Sequence, residues 1–261
     1  MSGSYRILFL GDVMGKPGRV AVRDGLPALQ DIHQPLFTII NGENSAAGVG
    51  ITPDICEELY RYGADAITLG NHAFNKREIG DYLNSNKPIV RPINMPEGTP
   101  GRGHIQVQKD EITINIANIC GRVFLDSYDD PFAAFNRLVK QGGDHWFIDF
   151  HAEATSEKVA FGYHAEGRAS AVVGTHTHIQ TADEKVLPGG TAYITDVGMT
   201  GPQNGVIGMD RDIVLRKFIT GMPARFEVAD GPGVIYGVVI EIERESGRAL
   251  DIERIRFAPQ S

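Results

Sequence analysis

Cysteine is nearly absent from this chain. Cys56 and Cys120 are the only two among 261 residues, far apart and in no metal or redox spacing. A disulfide framework and a thiolate metal cluster are thereby excluded, and both thiols are expected to be buried, as free Cys usually is. Long hydrophobic runs are missing too: no stretch nears the roughly 20 apolar residues that a membrane helix needs. Met1 to Leu10 has neither a basic start nor a long apolar core, so a secretory leader is not expected and the chain reads as cytoplasmic. No dense Lys/Arg run occurs, and the formal net charge is -8. Duplex nucleic acid requires a basic face, so it is not an expected partner. A small anionic substrate stays open, provided bound metal ions supply the positive charge. No Pro/Gly/Ser linker, internal repeat or low-complexity tract divides the chain, so one domain over residues 1–261 is expected. A homo-oligomer is compatible with these features.

What the chain does have is a regular alternation of strand and helix patterns. Strands are expected at 6–10, 37–41, 66–69, 145–150 and 171–174. Helices are expected from Pro17 to about His33, from Pro53 to Tyr62, from Lys76 to Asn84, from Pro131 towards Gly142-Gly143 and over 156–166. Thr52-Pro53 before an apolar face and Gly63 after it are a start and a stop signal. A hairpin is expected over 105–108 and 112–119. Beyond residue 184 the pattern is mostly strand, with a short helix near 210–219 and antiparallel stretches at 225–228, 233–243 and 250–257. The economical fold is α/β, with two facing sheets flanked by helices.

Five of the apolar runs end alike, in a turn followed by metal-type donors. Ile7 to Leu10 leads to Asp12, and Phe37 to Ile40 leads to Glu43-Asn44. Ala66 to Leu69 leads to Gly70-Asn71-His72, and Trp146 to Phe150 leads to His151. Ala171-Val172-Val173 leads to Gly174-Thr175-His176-Thr177-His178. Side chains delivered from strand ends are how layered α/β proteins build a site. Asp12, Glu43, Asn44, Asn71, His151, His176 and His178 exceed the needs of one catalytic zinc. They fit two metals about 3.5–4 Å apart that share a carboxylate, the arrangement suited to displacement at phosphorus. Donors without thiolate point to iron, manganese or zinc.

These residues resemble the calcineurin-type metallophosphoesterases, which carry Asp-x-His, Gly-Asp-x-x-Asp, Gly-Asn-His-Asp/Glu, a lone His and Gly-His-x-His in order. This chain departs from that pattern at Met14, at Asn41-Gly42-Glu43-Asn44 and at Ala73. The departures match the YmdB-like phosphodiesterases, and the similarity runs through nearly the whole chain, including Gly121-Arg122-Val123-Phe124 and His151 to Lys158. The resemblance implies a four-layer α/β/β/α sandwich of the metallophosphoesterase type and a di-iron-type centre. It also implies hydrolysis of cyclic nucleotides, 2′,3′-cyclic AMP in particular. Carried over by position, it implies Asp12, Glu43, Asn44 and His178 around one metal. Glu43, Asn71, His151 and His176 would surround the other, with Glu43 bridging. It makes His72 the proton donor to the leaving oxygen, which agrees with the chemistry of an imidazole at neutral pH.

Other residues receive blander readings. His33, His104, His145 and His164 lie outside the motifs and are expected to be structural or on the surface. Arg122 could clamp a phosphate or form an ordinary ion pair. Tyr60, Tyr62 and Phe74 could stack a base but are better read as core. Gly11 to Lys16 lacks the spacing of a phosphate-binding P-loop. A phosphomonoesterase, or a regulatory scaffold on the same fold, remains the alternative to a phosphodiesterase.

Overall fold

Strict alternation on strands whose two faces are both buried sets the layering. The computed structural model describes residues 3–259. Strand β1 (Ser4–Leu10) is followed by helix α1 (Gly15–His33), β2 (Phe37–Asn41), α2 (Pro53–Tyr62), β3 (Ala66–Thr68), α3 (Ile79–Leu83) and β4 (Ile89–Val90). A hairpin of β5 (His104–Lys109) and β6 (Ile112–Cys120) leads on to α4 (Pro131–Val139), β7 (Trp146–His151), α5 (Thr155–Ala165) and β8 (Ala171–Thr175). Short strands β9 (Lys185–Val186), β10 (Ala192–Ile194), β11 (Gly201–Pro202), β12 (Gly205–Val206) and β13 (Met209–Asp210) follow. Helix α6 (Arg211–Thr220) and the long pair β14 (Gly233–Glu243) and β15 (Ala249–Phe257) complete the order.

In one sheet β1 to β4 run parallel, and β14 lies antiparallel to β1 while also pairing with β15 and β11. The other sheet has the order β5-β6-β7-β8-β10-β9, with β6, β7, β8 and β10 parallel. On β1, Ile7 and Phe9 point between the sheets while Leu8 and Leu10 point to the helices. Phe9 meets Phe147 of the facing sheet with ring centroids 5.2 Å apart. Val22, Leu26 and Leu59 of α1 and α2 cover the first sheet. Phe135 and Phe161 of α4 and α5 cover the second, where Phe161 stacks on Phe150 at 4.0 Å. Each such side chain, fully buried, contributes about 1.5–3 kcal/mol of transfer free energy. The layers therefore run α/β/β/α, as expected.

Helix boundaries follow local chemistry. Thr52 accepts from the Ile55 N–H and Pro53 opens α2, while Gly63 closes it at φ 115. Asp130 accepts from Phe132 and Ala133 N–H groups and Pro131 opens α4. Two expectations need correction. The helix expected from Lys76 to Asn84 is confined to Ile79–Leu83, because the preceding residues form turns beside the site. The stretch 225–228 is loop with a single bridge, Met209 to Val228, since Arg225, Phe226 and Glu227 have no buried face to pair through. Cys56 and Cys120 are buried free thiols. Among the described residues no helix is long and apolar enough to cross a membrane.

Two buried polar ties join these layers below the site. Asp149 on β7 accepts from Asn41 Nδ2 (2.8 Å) and Thr68 Oγ1 (2.5 Å) of the facing sheet, and from Thr175 Oγ1 of β8 (2.6 Å). Lys158 of α5 donates to Asp196 Oδ2 (2.6 Å) and the Thr175 carbonyl (2.7 Å), with both charged side chains at most 1% exposed. Asp196 also accepts from Thr177 N and Oγ1 and from Gly198 N, so it organises the turn after β8. Removing one partner of a buried pair strands the other charge, at a cost of about 3–5 kcal/mol. Lys158→Met is expected to lose about that much stability in reversible denaturant unfolding. A loss below about 1 kcal/mol would show that the pair is not a structural tie.

Candidate metal centre

The carboxyl ends of β1, β2, β3, β7 and β8 come together at one edge of the sandwich, and the predicted donors sit there. One-atom donors of Glu43, His151 and His176 all lie within 4.8 Å of one another. His151 Nε2 is 3.1 Å from Glu43 Oε1, 2.9 Å from Asn71 Oδ1 and 3.0 Å from His176 Nδ1. Asp12 joins them through its Oδ2, which accepts the His176 N–H at 3.2 Å. Asn44 and His178 share the lining of the adjoining cleft with Glu43, His72 and His176. The structure thus gathers all seven predicted donors and His72 into one region. Gly70 permits the crowding: a Cβ there would overlap Glu43 Oε2 and His151 Nε2.

Hydrogen bonds behind the ring nitrogens decide which atoms face the cluster. Thr175 Oγ1 gives its proton to Asp149, so it accepts from His151 Nδ1 at 2.9 Å and leaves Nε2 inward. His178 Nδ1 donates to the Ile207 carbonyl at 2.9 Å, which frees Nε2. His176 Nε2 lies 3.0 Å from Glu153 Oε2, which leaves Nδ1 inward. Ligating His residues are ordinarily held in this way by an outer acceptor. His176 and His178 adopt φ 98 and 66, uncommon for residues with a Cβ. The bonds around Asp196 and Asp12 hold the turn in that conformation.

Electrostatics follow from burial. Desolvation pushes the Asp12 carboxyl upward, only partly offset by His178 and His151. Burial also pushes Glu43 upward, but the His151 imidazole outweighs it and holds the carboxyl down. His151 is the reciprocal case, lifted by Glu43 against its own desolvation. Burial and the neighbouring His151 drive His176 down to about 3. Asp149, desolvated beneath the cluster, rises to about 7. In the protein alone, a proton on His151 therefore sits among converging lone pairs where a cation would be better matched.

The donor set fits metal ions. Asp12 Oδ1 and Asn44 Oδ1 are buried and have no hydrogen-bond partner among the described residues. Asn44 commits its Nδ2 to the Gly48 carbonyl at 3.0 Å, which turns the oxygen away. Leaving such oxygens unsatisfied costs about 1–3 kcal/mol each, a cost that a coordinated cation removes.

Sequence reasoning missed the supporting residues. Asp149 was visible as a carboxylate inside an otherwise apolar strand, a placement that demands partners. Glu153, 46% exposed on its side chain, carried no such signal. Lys158 gave none either. The blander readings of other residues stand. His145 bonds Tyr5, His164 bonds Asn136, and Tyr60, Tyr62 and Phe74 pack on the helix-side core. Arg122 pairs with Asp130 at 3.5 Å on the surface and does not line the cleft.

The cleft above the donors has a volume of about 510 Å³, within the usual small-ligand range. Comparison with known proteins agrees with this geometry. The 2′,3′-cyclic-nucleotide 2′-phosphodiesterase of Bacillus subtilis (strain 168) is 52% identical over 253 residues, covering 96% of each chain. A crystal structure described as a novel phosphatase from Mycoplasma pneumoniae superposes with a TM-score of 0.95 at 33% identity, covering 100% of this chain and 96% of that one. A Thermus thermophilus protein described as hypothetical superposes with a TM-score of 0.93 at 41% identity, covering 98% of this chain and 100% of that one. A family model described as YmdB-like protein matches residues 8–255. The chain belongs to the YmdB-like protein family.

Proposed function

We propose that this protein is a metal-dependent phosphodiesterase acting on small cyclic nucleotides such as 2′,3′-cyclic AMP. One observation carries the reading: partnerless buried oxygens of Asp12 and Asn44 lie in the same site as the converging donors of Glu43, Asn71, His151 and His176. The name of the Bacillus subtilis relative supports the substrate class. Asp12, Glu43, Asn44 and His178 would hold one ion, and Glu43, Asn71, His151 and His176 the other. Iron is the metal the family resemblance implies, and donors that are all oxygen or imidazole nitrogen suit manganese or zinc as well. When bound, a metal pair supplies positive charge to the phosphoryl oxygens and makes a water acidic enough to act as nucleophile.

The chain's own groups do the rest. His72 lines the cleft beside Glu43, and its N–H donates to Glu43 Oε2 at 3.2 Å. Its imidazole Nε2 lies 3.4 Å from Asn71 Nδ2, and in this reading the ring gives a proton to the departing ribose oxygen. Glu153 and the Ile207 carbonyl hold His176 and His178 in the tautomers that present an inward nitrogen.

Purified protein is expected to carry about two metal ions per protomer by elemental analysis, and Glu43→Gln to reduce that content by at least half. Metal far below one per protomer, with no turnover after iron or manganese is added, would favour a scaffold. His72→Ala is expected to slow hydrolysis of 2′,3′-cyclic AMP by roughly 10²–10⁴-fold while leaving metal content intact. Near-normal turnover would reject the proton-donor role. Assays with matched monoesters separate the two esterase readings, because a phosphomonoesterase would turn those over faster.

A further inference from the structure

The cleft is chemically two-sided. Its floor carries Glu43, Asn44, His72, Glu153, His176 and His178. A second, apolar wall comes from β12, β13, α6 and the following loop, and includes Val206, Ile207, Met209, Val214, Phe218 and Phe226. Three of these side chains are costly to leave in water, Phe218 at 79% exposed, Ile207 at 47% and Phe226 at 37%, and the two Phe rings offer flat aromatic faces. Lys217 also lines this wall, and its Nζ stands 4.6 Å from the Phe226 ring centroid, a cation–π contact that steadies the ring. The wall is braced internally: Asp210 accepts the Ile213 N–H at the start of α6, and the Asp210 and Ala229 N–H groups donate to the Glu227 and Gly208 carbonyls. The Ile207 carbonyl ties it to His178.

A cyclic nucleotide is divided in the same way. Its phosphate and ribose are polar, and its base is a flat apolar surface. From this juxtaposition we propose that Phe226 and Phe218 form the seat of the nucleobase, with the phosphate directed to the floor. This inference rests on the phosphodiesterase reading and adds a specificity determinant to it. Aromatic stacking accepts every base, because each has a π face. The seat therefore separates nucleoside cyclic phosphates from cyclic phosphates without a base, and discriminates weakly among the bases.

The test compares kcat/KM for adenosine 2′,3′-cyclic phosphate with that for ribose 2′,3′-cyclic phosphate, which keeps the reacting bond and lacks the base. Metal-loaded wild-type protein is expected to prefer the nucleotide. Phe218→Ala with Phe226→Ala is expected to cut that preference roughly 10–100-fold, the scale of base–aromatic stacking. Phe226→Trp is expected to retain it, which a purely structural role would not explain. An unchanged preference in the double variant, or none in the wild type, overturns the seat and leaves the phosphodiesterase reading standing. Metal-loaded wild type that hydrolyses neither compound overturns both.

Discussion

Lone pairs facing one another with little access to water are the constraint on which the rest of this structure depends. Glu43, Asn71 and His176 aim acceptors at His151 Nε2, and Asp12 and Asn44 each leave an oxygen with no hydrogen-bond partner among the described residues. No packing advantage explains such an arrangement, since each group would be better hydrated outside. The surrounding protein is organised to hold it. Asp149 reaches across both sheets, Thr175 passes its bond to His151, and the buried Lys158–Asp196 pair anchors the turn that carries His176 and His178. Well-satisfied polar ties at the base of the site let a poorly satisfied cluster exist at its top.

Much of this was legible in the chain. Parallel strands buried on both faces read as continuous apolar runs, so β1, β2, β3, β7 and β8 were visible, and their ends named the donors. Turn and cap chemistry located α2 and α4. The second layer of the site was harder. Thr175 stood inside a recognised motif, yet its role depends on which atom takes its proton, and only the position of Asp149 in space answers that. Lys158 lies on a helix whose sequence does not announce an inward-facing charge.

The far wall of the cleft was unreadable for a different reason. It is assembled from a two-stranded hairpin, one face of a helix and an irregular loop. No single period describes it, and its apolar residues look like scattered surface positions until the chain brings them opposite the donors. The stretch 225–228, expected as sheet, lies in this segment: Phe226 faces the cleft instead of a neighbouring strand.

Ile207 adopts φ 47, an unusual conformation for a β-branched residue, and its carbonyl accepts a hydrogen bond from His178 Nδ1. That single bond makes the ring orientation and the hairpin position one variable instead of two. A shift of the hairpin withdraws the acceptor and lets the imidazole turn. A change in what the imidazole binds is felt in turn by the hairpin. In the proposed two-metal reading, substitutions around Ile207, a residue with no donor side chain of its own, would then register as altered cation affinity. In the proposed reading, the boundary between holding an ion and shaping the substrate chamber runs through one backbone oxygen.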